Sequence, residues 1–495
     1  MNRVKRNFTL VLGPLAFIVM LAIGKPDSMN QDAFYVLATT LWIAVWWVTE
    51  AVPIAVTALL PIILFPLTGA LSLSDTTASY GHKYIFLYLG GFMLAVVIER
   101  WNLHKRIALN IIKLIGTDVS KVILGFMVAT AFLSMWISNT ATSVMMLPIG
   151  IALVKQFETS STEQGIPQKF GKALMLSIAY SASIGGVATL IGTPPNLVLA
   201  GILEKIYRYE ISFFQWMQFA LPVSIVLLFI CWKYLTRVAY NFKNTTLSGG
   251  KDEIKKMLAK LGKISYEEKA VLVVFVLTAI AWMSRSLIEK VIPAIDDTII
   301  AMFAGIVLFA IPTKDKKRKL ITWEEAVNIP WGIILLFGGG MALAQGFTET
   351  GLAEWIALQM SSLEGISILL LIFILVILVN FLTEITSNLA TTAMMLPILA
   401  PMALSFDVHP LVIMTAVTVA ASCAFMLPVA TPPNAVVFGS NYLRIPDMVK
   451  SGVVMNIISV LIITAVSYLL LPFLWDIEVA GFPELFKQID MSNIN

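Results

Sequence analysis

Residues 138–149 read S-N-T-A-T-S-V-M-M-L-P-I and residues 387–398 read S-N-L-A-T-T-A-M-M-L-P-I, with nine of the twelve positions identical. Each copy lies in the middle of an apolar stretch, so a short polar motif is held between two hydrophobic arms, twice. The whole chain is of the same character: 58% hydrophobic, 13% charged, with a mean hydropathy of +0.86. Soluble domains are far more polar. Several runs reach the roughly 20 apolar residues that a ~30 Å hydrocarbon layer requires. The reading is an all-α polytopic membrane protein, embedded in a lipid bilayer.

Arg3, Lys5 and Arg6 precede the first apolar run, a pattern shared with secretory signals. Many further spans follow and no small-residue cleavage site stands out, so 7–23 reads as the first membrane helix. Orientation follows from Lys and Arg, which remain in short cytoplasmic loops. They collect at the N-terminus, at 100–121, at 155–172, at 233–269 and at 314–319, and none occurs between Lys319 and Arg444. The first motif lies between Lys121 and Lys155. Each of its arms is about 16 residues, or ~24 Å of helix, too short to cross and return. That predicts a re-entrant hairpin entering from the cytoplasm. The second hairpin, flanked by Glu364, Asp407 and His409 instead of cations, is expected to enter from outside.

Two more pairs extend the repeat. L-G-G-F-M-L-A at 89–95 answers G-G-G-M-A-L-A at 338–344, and G-T-P-P-N at 192–196 answers A-T-P-P-N at 430–434. With opposite hairpin orientations, the halves are inverted-topology repeats. The expected layout is about 11 transmembrane helices plus two re-entrant helical hairpins, N-terminus cytoplasmic and C-terminus extracellular, in the plasma membrane. Residues 1–120 are expected to hold the leading helices of the first repeat, and 121–236 its hairpin, broken helix and following helix. Residues 237–269 read as a basic cytoplasmic linker. Residues 270–365 are expected to repeat the leading helices, and 366–495 to hold the second hairpin, broken helix and last helix.

Backbone that leaves a helix at membrane depth must be buried in protein or line a watery cavity. Prolines 194, 195, 432 and 433 break helices by removing donors. Broken helices aim free N–H groups at anions and free carbonyls at cations. Ser, Asn and Thr add neutral ligands of both kinds. Such a site needs no lysine or arginine, and neither hairpin contains one. A dianion there calls for compensating charge, which bound sodium ions would supply. The glycines at 90–91 and 338–340 read as close-packing positions. Glu50 and Glu384 are the notable acids beside apolar segments, a proton relay being one reading of Glu384 and a cap on the hairpin the other. Cys231 and Cys423 read as small core residues, and His82, His104 and His409 form no metal-type cluster. No phosphate-binding loop is present, and the pI near 8.8 reflects cytoplasmic loops, not nucleic-acid binding.

The paired S-N-T and T-P-P-N motifs make the chain resemble the divalent anion/sodium symporter family, the INDY-like di- and tricarboxylate transporters, over essentially its full length. The resemblance implies a homodimer in which a transport domain slides against a fixed scaffold, an elevator form of alternating access. It assigns substrate contact to Ser138, Asn139, Thr140, Ser387 and Asn388, with Thr193, Pro195, Thr431 and Pro433 beside them. It implies one sodium-type site at Ser134, Ser138, Asn139 and the Gly192 carbonyl, and another at Thr383, Asn388 and the Ala430 carbonyl. The moving body would comprise both hairpins together with 173–236 and 410–473, and the remaining helices, in 1–120 and 270–365, would build the scaffold. Succinate, malate, fumarate and 2-oxoglutarate are the implied substrates.

Leu389 departs from the family pattern, which has threonine there, and leucine offers no hydroxyl to a carboxylate. That tilts the reading toward the sodium-independent exchangers of the family. The retained Ser134, Thr383, Gly192 and Ala430 support the alternative, a sodium-coupled dicarboxylate or citrate symporter. A more remote alternative is an ion channel, or a cation antiporter using Glu50 and Glu384. An enzyme is not expected, since no Ser/Lys, Asp/Asp or metal constellation is present.

Overall fold

A computed structural model describes residues 3–115, 118–160, 165–242, 250–360 and 365–487. Glu364 and Ser248-Gly249 of the linker lie outside the described residues. Helices dominate, and among the described residues extended structure is limited to two isolated bridges, Pro312 with Lys319 and Val408 with Ala480. Among the described residues eight helices are long and apolar enough to cross a membrane, and shorter apolar helices accompany them.

The helix 119–134, Val119–Ser134, and the helix Asn139–Ser160 form an antiparallel pair joined by the tip 135–138. The helix Ile166–Val187 follows, then an unwound stretch at 188–193, then Pro194–Tyr207. In the second half the same order recurs: Ile368–Leu382, Asn388–Ser405, Pro410–Ala421, an unwound stretch at 422–431, and Pro432–Phe438. Proline opens each helix after a break because its missing N–H is unneeded in the first turn. The outer hairpin arm Ile368–Leu382 has 15 residues, about 22 Å of helix, so it falls short of a full traverse.

The halves interlock. Ile166–Val187 packs against Pro432–Phe438, and Pro194–Tyr207 against Asn388–Ser405. A ring contact at 5.0 Å between Tyr180 and Phe425 joins the first half's helix to the second half's break. Gly90 acts as the close-packing position its motif suggested: a methyl there would lie 2.6 Å from the carbonyl oxygen of Ala301. Gly339 does the same against Ala58, at 2.5 Å from its carbonyl oxygen. The described part of the linker carries the amphipathic helix Gly250–Lys260, which packs on Leu103–Ile115 and on the first hairpin.

Candidate functional site

Ser134 ends the first arm of its hairpin and is fully buried. Its hydroxyl oxygen lies 2.6 Å from Asn139 Oδ1 and 2.7 Å from the carbonyl oxygen of Ala182. Thr383 follows the corresponding arm, and its hydroxyl lies 2.8 Å from Asn388 Oδ1 and 2.9 Å from the carbonyl oxygen of Ala421. A hydroxyl has one proton to donate. In each half, therefore, one hydroxyl proton stands between two acceptor oxygens, a side-chain amide oxygen and a backbone carbonyl.

The first break closes on this cluster. A methyl on Gly192 would lie 2.4 Å from the carbonyl oxygen of Gly186 and 3.0 Å from that of Ser134, and one on Gly186 would lie 2.3 Å from Asn139 Oδ1. Ser134, Asn139, Gly186 and Gly192 thus meet at distances only glycine permits. Thr189 of the break fixes the tip by donating its hydroxyl to the Met135 carbonyl at 2.5 Å.

In the second half the tie between tip and break is a side chain. Glu384, at the position matching Met135, is 3% exposed. Its Oε1 accepts from the backbone N–H groups of Phe425 at 2.7 Å and Met426 at 2.9 Å and from Asn456 Nδ2 at 2.7 Å, and its Oε2 accepts from the Leu427 N–H at 3.0 Å. Both of its oxygens therefore act as acceptors. The groups it bonds belong to the break and to the last helix, and not to its own hairpin. Glu50 lies exposed at a helix end, in a left-handed conformation, outside this cluster.

The remaining expected residues divide by environment. Ser138 and Asn139, like Ser387 and Asn388, are half-buried at the tips. Thr140 is exposed, whereas its counterpart Leu389 is buried in the hydrophobic core. Pro195 and Pro433 are buried. Thr431 is buried too and caps its helix by accepting from the Asn434 N–H, and Thr193 is buried without such a cap bond. The carbonyl that reaches the Thr383 hydroxyl is that of Ala421. Ala430 sits in the adjacent turn, its N–H on Leu427 O. Sequence reasoning passed over Thr189, Asn380 and Asn456, and read Asn196 and Asn434 only as part of the T-P-P-N motifs. Buried asparagines in apolar helices are themselves a signal, because membrane helices carry such amides where they bond something. Among the described residues no group of three or more His, Cys, Asp and Glu side chains gathers to hold a metal ion.

Comparisons with known proteins agree with this picture. The sequence profile of the "Sodium:sulfate symporter transmembrane region" matches residues 4–475. The sodium-dependent dicarboxylate transporter SdcS of Staphylococcus saprophyticus is 47% identical over 478 residues, covering 95% of this chain and 92% of that protein. The Staphylococcus aureus protein of the same name is 48% identical over the same shares. In fold, the chain is similar to Neisseria gonorrhoeae MtrF, with a TM-score of 0.59 at 13% identity, covering 94% of this chain and 100% of that one. With the duplicated hairpins and breaks, these matches establish that the chain belongs to the divalent anion/sodium symporter family, whose members are membrane transporters and not enzymes.

Proposed function

We propose that the chain is a sodium-coupled carrier of C4-type dicarboxylates such as succinate, malate and fumarate. The observation that carries this reading is the cluster of hydroxyl, amide and carbonyl oxygens present in both halves around Ser134 and Thr383. Neutral oxygens gathered in this way are what a dehydrated alkali cation binds. A cation in each cluster offsets the charge of a dianion held at tips that contain no lysine or arginine. The names of the staphylococcal relatives, which specify sodium and dicarboxylate, support the same choice.

In this reading Ser134, Ser138, Asn139 and the Gly192 carbonyl hold the first cation. Thr383 and Asn388 hold the second, with Ala421 now joining Ala430 as a carbonyl donor. Ser138, Asn139, Thr140, Ser387 and Asn388 face the substrate, beside Thr193, Pro195, Thr431 and Pro433. The two hairpins, 173–236 and 410–473 move together against the other helices, in a homodimer of eleven-span inverted repeats with the N-terminus cytoplasmic. Dicarboxylate exchange is the second reading, and Leu389 is its supporting observation. The burial of that leucine in the core weakens it, because the lost hydroxyl belongs to a position facing away from the exposed tip.

Uptake of labelled succinate by Asn139→Ala and Asn388→Ala tests the site. Each variant is expected to elute as wild type and to lose sodium-driven uptake. Wild-type uptake by both would refute the assignment.

A further inference from the structure

Asn196 and Asn434 are the third residues of the helices that restart after the two breaks, and both are fully buried. Asn196 Nδ2 donates to the carbonyls of Gly186 at 3.2 Å, Val187 at 3.2 Å and Thr189 at 2.7 Å. Asn434 Nδ2 donates to the carbonyls of Ala424 at 3.3 Å and Leu427 at 3.0 Å. The register is the same in both halves, ten and seven residues back from the asparagine. Each Oδ1 is buried and has no hydrogen-bond partner among the described residues. These amides are used on one side only, as donors.

Of the carbonyls they hold, those of Thr189, Ala424 and Leu427 belong to the unwound segments, and those of Gly186 and Val187 end the helix that precedes the first one. Thr189 and Leu427 also accept from the N–H groups of Gly192 and Ala430, while the other three lie where the helix no longer supplies partners and neither lipid nor bulk water replaces them. The Gly186 carbonyl also bounds the space beside Gly192, and Gly186 itself abuts Asn139 Oδ1. On the other side, Ala424 lies between Cys423, whose carbonyl accepts from Asn380 Nδ2 at 2.7 Å, and Phe425, whose N–H is held by Glu384. We propose that Asn196 and Asn434 are positioning residues for the two cation clusters, each cross-tying its unwound segment so that the segment's oxygens stay in register with the adjoining hairpin tip. The inference rests on the sodium-coupled reading above. Asparagine suits the task because it brings two N–H donors on a short uncharged arm. Aspartate has the same shape but would set an oxygen against two or three carbonyls.

The test uses the full-length protein, purified and reconstituted, with Asn196→Asp, Asn434→Asp and the shorter donors Asn196→Ser and Asn434→Ser. Two quantities are read: the sodium concentration giving half-maximal succinate uptake, and the rise in melting temperature that sodium alone produces in detergent. The aspartate variants are expected to need at least tenfold more sodium and to lose most of the sodium-induced rise. The serine variants should fall between them and wild type. Folded variants with wild-type sodium dependence would overturn the proposal. So would loss of uptake with the sodium-induced rise intact, since that marks a structural role only, and so would failure of all four to fold. Wild-type protein indifferent to sodium would instead overturn the sodium-coupled reading, and that result is in hand before any variant is examined.

Discussion

Gly192→Ala is the most direct way to deform one cation cluster while leaving every polar group in place. The added methyl would sit 2.4 Å from the carbonyl oxygen of Gly186 and 3.0 Å from that of Ser134. Both neighbours are backbone, so neither can swing aside as a side-chain end would. Overpacking of this kind costs about 1–3 kcal/mol. If the strain relaxes by pushing the break away from the tip, that cost appears as weaker cation binding, about 5- to 150-fold in half-saturating sodium. The assay is succinate uptake into proteoliposomes at a series of sodium concentrations, with Gly81→Ala as control, since a methyl at Gly81 meets nothing within 4 Å. Wild-type sodium dependence in a folded Gly192→Ala protein would refute the placing of the first cluster.

Other consequences of the structure are open to measurement. Glu384→Gln keeps the shape but turns an amide N–H toward a backbone N–H, stranding at least one buried donor at about 1–3 kcal/mol; thermal unfolding in detergent should report the loss, while Glu50→Gln, at an exposed position, should melt as wild type. Arg285 bridges Glu210 at 2.6 Å and the 4%-exposed carboxylate of Asp297 at 3.3 Å. Arg285→Ala should therefore destabilise by about 1–3 kcal/mol, since Asp297 loses one partner but keeps the Phe213 N–H. Lys121→Ala, which breaks only an exposed pair with Asp118, should cost under about 1 kcal/mol by the same melting assay. Burial pushes the Glu210 carboxyl up, but Arg285 and Lys83 outweigh it and hold the group below its ordinary 4.5. A depressed carboxyl stabilises above its unfolded pKa, so melting temperature should not fall on this account between pH 7 and 5, and the contribution should be lost only as pH drops below about 4.5.

The hairpins and breaks were legible because polar tips and paired prolines stand out in an apolar chain, and because each occurs twice at matching positions. Ser134 and Thr383 came from the family resemblance, and the structure brings each to its asparagine. Other features depend on tertiary contacts between residues far apart in sequence. Glu384 reaches N–H groups about forty residues away, so a cap and a relay look alike until the fold brings them together. Thr140 and Leu389 share a register but face opposite environments, exposed and buried, which no local pattern encodes. The asparagines that tie the breaks belong to a motif read mainly through its prolines, and their partners are carbonyls, which every residue carries. The packing of each half's broken helix on the other half is likewise a long-range property.

The central claim is coupling of dicarboxylate movement to sodium. It is tested most directly by labelled succinate uptake into empty and succinate-loaded proteoliposomes, each with and without an inward sodium gradient. The account predicts concentrative uptake into empty vesicles that requires the gradient. Uptake confined to loaded vesicles and indifferent to sodium would contradict it and establish an exchanger.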